Sequence, residues 1–271
     1  MQPAAMPRFG VGTWRMGERA SERARELAAV RAALDLGVRL VDTAEMYGDG
    51  NAEAIVGEAI RGRREGVYLV SKCYPHHAGA KTMPKACERS LARLNIERID
   101  CYLLHWRGRV PLAETVDTFE KLVDRGLIAR WGVSNFDIDD INELFGVPGG
   151  DRCAANQVLY HAGDSAVETG LLELCRSLRI PLMAYSPLGQ GELLRKRAFA
   201  SIAKSAQLTP AQLALAFVMS REGVVAIPKS SSPERMRENV DAQAITLDAS
   251  TLARIDEVFP PPSGPTRISL A

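Results

Sequence analysis

The chain has 271 residues, 46% of them hydrophobic and 25% charged, with 34 Lys plus Arg against 33 Asp plus Glu. That length holds one large domain or two small ones and excludes a mini-protein that needs staples. A formal charge of +1 and a pI of about 7.7 leave no global footprint for nucleic acid or an anionic membrane, so neither is an expected partner.

From the N-terminus onward, short β-type runs alternate with helix-type runs. Phe9 to Trp14 reads as the first strand, followed by a helix with Leu27, Val30 and Leu34 at helical spacing and Gly37 as its C-cap. Arg39 to Thr43, Val67 to Lys72 and Ile99 to His105 read as the next three strands. Val116, Phe119 and Val123 mark another helix, closed by Gly126, before strands at Arg130 to Asn135, Ala155 to Val158 and Pro181 to Ser186. Thr209-Pro210-Ala211-Gln212 is a capping box with proline at the first helical position. Val224 to Lys229 is the eighth strand, Ser232-Pro233 opens a further helix, and a last helix runs from about Ala249 to Val258. The first Pro-rich stretch begins at Pro260, so residues 1–271 read as one domain ending in a short irregular tail from about 260.

The five cysteines (Cys73, Cys87, Cys101, Cys153 and Cys175) are an odd number, widely spaced and without a C-x-x-C pair, which points to reduced thiols in the cytoplasm. Residues 1–7 lack a basic start and an apolar signal core, and the longest apolar run, Leu213 to Met219, is too short to span a bilayer. Eight βα units can close into a (β/α)8 TIM barrel or lie as an open doubly wound sheet. Neither G-x-G run, Gly10-Val11-Gly12 nor Gly189-Gln190-Gly191, completes G-x-G-x-x-G, and that favours the barrel.

Polar residues end one strand after another: Asp42, Lys72, His105, Asn135, Gln157, Ser186 and Lys229, at spacings of 30, 33, 30, 22, 29 and 43. In a barrel such residues converge on the carboxyl mouth. Tyr47, five residues beyond Asp42, has an ordinary pKa near ~10, so as a general acid it needs a cation to favour the phenolate it leaves. Lys72 is a candidate for that cation, with Asp42 keeping it charged in a desolvated mouth, and His105 is then a neutral donor to a substrate oxygen.

These residues carry a family resemblance. Gly10-Val11-Gly12-Thr13-Trp14, Asp42-Thr43-Ala44-Glu45-Met46-Tyr47-Gly48, Val70-Ser71-Lys72, Leu103-Leu104-His105-Trp106, Gly132-Val133-Ser134-Asn135-Phe136, Asn156-Gln157, Ala184-Tyr185-Ser186-Pro187-Leu188 and Ile227-Pro228-Lys229-Ser230 follow in order over nearly the whole chain. The chain resembles the aldo-keto reductases in all eight. The resemblance implies a (β/α)8 barrel and NADPH/NADP+-linked reduction of aldehydes or ketones without a metal, with Asp42, Tyr47, Lys72 and His105 as catalytic tetrad. It implies that Ser134, Asn135 and Gln157 hold the nicotinamide carboxamide, that Tyr185 stacks on the ring, and that Ser186 and Leu188 pass near the pyrophosphate.

Lys229, Ser230 and Arg235 are similar to the family's adenosine phosphate segment and should prefer NADPH over NADH, since a helix N-terminus adds free N–H groups to their charges. Glu238 and Asn239 would contact the adenine. Trp14, Tyr47, His105 and Trp106 would form the substrate pocket. The chain departs from many animal members at Arg107-Gly108-Arg109-Val110-Pro111, which reads as a remodelled loop, and it has little of the long C-terminal loop of mammalian members. It looks more like bacterial aldehyde and methylglyoxal reductases, and the family implies a monomer. Two other readings stand beside this one: a redox-sensing NADP-binding subunit with little turnover, and a barrel aldolase with Lys72 or Lys229 as Schiff-base nucleophile.

Overall fold

The computed structural model describes residues 6–264 and 266–270; the targeting expectation for residues 1–5 and the Pro265 part of the Pro-rich run lie outside them. Eight strands form one parallel sheet in sequence order: β1 (Gly10–Gly12), β2 (Leu40–Asp42), β3 (Tyr68–Cys73), β4 (Ile99–Leu104), β5 (Ile128–Ser134), β6 (Asn156–Leu159), β7 (Leu182–Tyr185) and β8 (Val224–Ala226). The last strand returns to the first, because Phe9 bridges Ala226 and the Gly12 N–H donates to the Pro228 carbonyl at 2.9 Å. The sheet is therefore a (β/α)8 barrel.

The crossovers are α1 (Arg23–Asp35), α2 (Asn51–Ala59), α3 (Met83–Leu94), α4 (Leu112–Asp124), α5 (Ile138–Phe145) and α6 (Leu171–Ser177). Between β7 and β8 lie three helices, α7 (Glu192–Arg195), α8 (Arg197–Ser205) and α9 (Pro210–Met219), which accounts for the wide spacing from Ser186 to Lys229. After β8 come α10 (Pro233–Asp241) and α11 (Ala249–Val258). Caps start these helices where the sequence places them: Thr209 accepts from the Gln212 N–H while Gln212 accepts from Thr209, and Ser232 accepts from the Arg235 N–H.

Several strands are shorter than their apolar runs. β8 was expected to reach Lys229 but stops at Ala226; Ile227 still donates to the Ala184 carbonyl, and then Pro228 has no N–H to continue the ladder. β7 stops before Ser186, which has φ 49° and leaves the strand direction. β1 ends at Gly12, where an added Cβ would stand 2.9 Å from the Ile227 carbonyl oxygen, so glycine lets the segment after β8 close against β1 here.

Two cores result. A large one fills the layer between strands and helices, including Val41, Leu69, Tyr102, Leu104 and Val133. A small one fills the barrel interior with Leu40, Tyr68, Val70, Cys101, Leu103, Ala155, Met183, Val225 and Ile227. Side chains alternate along a strand. Stepping on by two from these interior residues therefore reaches Asp42, Lys72, His105, Gln157, Tyr185 and Lys229. The apolar floor becomes a polar mouth at the carboxyl ends.

Candidate active site

Asp42 pairs with Val70, and Lys72 pairs with Leu103. Lys72 and His105 each lie two residues past such a pairing, so Asp42, Lys72 and His105 climb one interior layer per strand around the barrel. Lys72 is completely buried, and its ammonium folds back to both Asp42 oxygens at 2.8 Å and to the Thr43 carbonyl at 2.9 Å. The Tyr47 hydroxyl stands 3.2 Å from the same nitrogen, and its ring meets the His105 ring edge-on at 5.7 Å. Tyr47 reaches this position because the chain turns sharply after it: Gly48 has φ 55°, and a Cβ there would be 2.7 Å from the Met16 carbonyl oxygen.

Burial dominates the titration of these groups. It pushes the Tyr47 phenol well above its ordinary value, and the Asp42 charge adds to the effect. It lowers the Lys72 ammonium, against the pull of Asp42. It also drives the His105 imidazole well below its usual range, assisted by Lys72, so the ring is neutral. His105 Nδ1 is buried and has no hydrogen-bond partner among the described residues.

A cavity of about 830 Å³ opens above these groups. Every residue named from the sequence as catalytic, cofactor-binding or substrate-binding lines it except Lys72, which lies behind Asp42 and Tyr47. Gln157 donates to Asp42 at 2.7 Å, which leaves its amide oxygen for the cavity. Asn135 donates to the His105 carbonyl and to Ser134 Oγ and accepts from the Tyr185 hydroxyl at 3.0 Å, and Ser134 Oγ donates to the Gln157 carbonyl, so three of the named side chains form one chain of contacts anchored on the His105 and Gln157 backbone. Trp106 lies 4.9 Å from the His105 ring, and Trp14 both lines the cavity and packs on the main core.

The far end of the cavity is basic. Lys229, Ser230 and Arg235 gather at the start of α10, and burial lowers the Lys229 ammonium more than neighbouring Glu26 raises it. An anion bound there would reverse that penalty. Asn239 is buried beside them, whereas Glu238, expected at an adenine, is engaged by the Thr209 hydroxyl at the start of α9.

Residues 8–259 match the model of the Aldo/keto reductase family. The chain belongs to the aldo/keto reductase family. It is 47% identical over 271 residues to the methylglyoxal reductase YeaE of Escherichia coli, covering 98% of this chain and 95% of that one. It is 34% identical to the glyoxal reductase of Bacillus subtilis, covering 93% and 88%. Among solved structures, an aldo-keto reductase from Klebsiella pneumoniae crystallised in complex with NADPH superposes with a TM-score of 0.96 at 48% identity, over 99% of this chain and 96% of that chain.

Some cavity residues of this aldo/keto reductase were not named from the sequence. Arg15 follows the first strand with φ 64° and lays its guanidinium over the Trp14 ring at 4.4 Å, and Arg25 comes from α1. Arg15, Asn135, Ser186 and Gln190, all lining the cavity, adopt left-handed backbone that non-glycine residues rarely take, a strain that concentrates at functional sites. The tail returns to the mouth, with Ile268 packed on the core and Leu270 lining the cavity. The loop after Trp106 is tied down, since Arg107 bonds Asp140 and Glu143 of α5.

Proposed function

We propose that this reductase uses NADPH to convert small aldehydes and ketones, such as methylglyoxal and aromatic aldehydes, to alcohols, with Tyr47 as general acid. The observation that carries this reading is the buried Asp42–Lys72–Tyr47 chain at the inner end of a cleft whose outer end is cationic. The cleft suits a phosphorylated dinucleotide: amide and hydroxyl groups of Ser134, Asn135 and Gln157 at one end, the Tyr185 ring between, and Lys229, Ser230 and Arg235 at the other. Bound NADPH supplies the hydride that the carbonyl carbon accepts.

Tyr47 gives its proton to the carbonyl oxygen, and its high phenol pKa keeps that proton in place until the oxygen becomes basic. Lys72 stabilises the phenolate that remains, and Asp42 holds Lys72 in the ionised form. The neutral His105 orients the oxygen. A buried imidazole N–H left without a partner is costly, so its proton belongs on Nε2 rather than on the partnerless Nδ1. Donors fixed before the reaction at an oxygen that gains charge contribute on the order of 10² to 10³ in rate. With both oxygens of Asp42 bound to it, Lys72 is poorly placed to be a Schiff-base nucleophile.

The apolar walls contributed by Trp14, Trp106 and Leu270 support small, loosely selected carbonyl compounds. Five buried free thiols fit work in the reducing cytoplasm, and Val258 and Leu270 as the sole exposed large hydrophobics among the described residues fit a monomer. The test is a rate panel with NADPH over methylglyoxal, aromatic aldehydes, sugars and ketosteroids. Turnover of the first two supports the reading, and turnover of bulky ketones alone refutes it.

The basic end gives a separate expectation. Lys229→Ala or Arg235→Ala should weaken NADPH by about 10- to 50-fold, the loss of one charge-assisted phosphate contact, with NADH changed less than about twofold. Fluorescence titration measures both; equal losses for the two cofactors would contradict the phosphate assignment.

A further inference from the structure

Glu45 sits on the segment between Asp42 and Tyr47 and takes no part in the chemistry above. Its carboxylate is nevertheless buried, with 5% of the side chain exposed. Oε1 accepts from the Tyr74 backbone N–H at 2.8 Å and meets His77 Nδ1 at 2.8 Å, and the Arg89 guanidinium stands 3.6 Å from Oε2. A carboxylate only accepts, so the His77 ring carries its proton on Nδ1 at this contact. The Glu45 backbone N–H donates to the Lys72 carbonyl at 3.3 Å. One residue thus fastens the Tyr47 segment to the strand that carries Lys72 and to the turn beyond it, Pro75–His77.

That turn also supports the aromatic wall. The Tyr74 ring meets Trp106 edge-on at 6.0 Å, and Trp106 lies against His105. The phenol and the imidazole are therefore held from the same turn on two sides. The contact between Tyr47 and Lys72, at 3.2 Å, is already long for a charge-assisted hydrogen bond. A shift of a few tenths of an ångström in the Tyr47 segment would open it. Burial of a carboxylate is costly unless its acceptor sites are filled. Here each donor that fills them comes from the β3–α3 connection or from α3.

We propose that Glu45 is a positioning residue: held by the Tyr74 N–H and His77, it fixes the Tyr47 phenol against the Lys72 ammonium without touching substrate or cofactor. This rests on Tyr47 being the acid. Glu45→Ala should lower kcat by about 10-fold, with the carbonyl KM and the NADPH Kd within about twofold, because a small misplacement costs rate rather than binding. Glu45→Gln keeps an oxygen for both Oε1 contacts and should retain most of kcat.

A double-mutant cycle decides between positioning and general support of the fold. In the Tyr47→Phe background, adding Glu45→Ala should change single-turnover hydride transfer by less than about twofold, since residues that act as a unit are not additive. A repeat of the full loss in that background would overturn the proposal, as would wild-type kcat in Glu45→Ala or a Glu45→Gln as damaged as the alanine variant. If Glu45→Ala does not fold, His77→Ala carries the same cycle with a smaller expected loss, and additivity there overturns the proposal equally. Full turnover in Tyr47→Phe alone would instead remove the acid assignment, a failure separable from that of Glu45.

Discussion

Tyr47→Phe is expected to lower kcat by at least ~10²-fold while leaving the NADPH Kd within about twofold of its original value. The substitution is narrow. The ring keeps its edge-on packing against His105, and the hydroxyl's contact with Lys72 is what disappears. Nothing in the basic end of the cavity depends on that oxygen, so cofactor affinity has no reason to change. General acid catalysis supplies about 10² to 10⁴ in rate, which sets the lower bound on the loss. Stopped-flow measurement of NADPH oxidation with methylglyoxal, beside a fluorescence titration, provides both quantities. A variant with most of its turnover intact would take Tyr47 out of the acid's role.

Lys72→Met should destabilise the protein by about 3 to 5 kcal/mol as well as reduce turnover, because it leaves a buried carboxylate without its counter-charge. Asp42 is 2% exposed and would keep the Gln157 amide as its remaining side-chain donor. The Thr43 carbonyl, which Lys72 also caps, would lose that donor too. Replacing both partners, Asp42→Asn with Lys72→Met, should recover much of the stability and none of the activity, since removal of the pair leaves no isolated charge. Urea unfolding of the wild type and the two variants reads the difference. A cost below about 1 kcal/mol for Lys72→Met, or a double variant no more stable than the single one, would contradict a buried ion pair at the barrel centre.

The polar mouth was legible because a strand's alternation does not stop where its hydrogen bonds do. Asp42, Lys72, His105, Gln157 and Lys229, read from the strand ends, continue the two-residue period of Leu40, Val70, Leu103, Ala155 and Ile227, whereas at the seventh strand Tyr185, one residue before the Ser186 read there, continues that of Met183; the interior-facing set is apolar below and polar above. Helix starts such as Thr209 and Ser232 were legible for a local reason, since capping involves residues three apart. Strand ends were less so: Pro228 and the left-handed Ser186 end pairing inside runs that look uniformly extended.

The residues that escaped reading owe their place to tertiary contacts. Arg25 reaches the cavity because α1 packs beside α10, a neighbour more than 200 positions away, and no periodicity within α1 marks it. Leu270 reaches it because the tail folds back across the barrel, where the Thr266 N–H meets the Thr169 hydroxyl. Glu45 gave no signal either, being a charged residue in a loop until His77 and Tyr74 are seen against it.

A crystal structure of the protein with NADP+ puts the whole arrangement to the test. The nicotinamide ring should lie on Tyr185, its carboxamide among Ser134, Asn135 and Gln157, its reactive carbon beside the Tyr47 hydroxyl, and the 2′-phosphate against Lys229, Ser230 and Arg235. A ring seated away from Tyr47, or a phosphate outside the basic end, would contradict it.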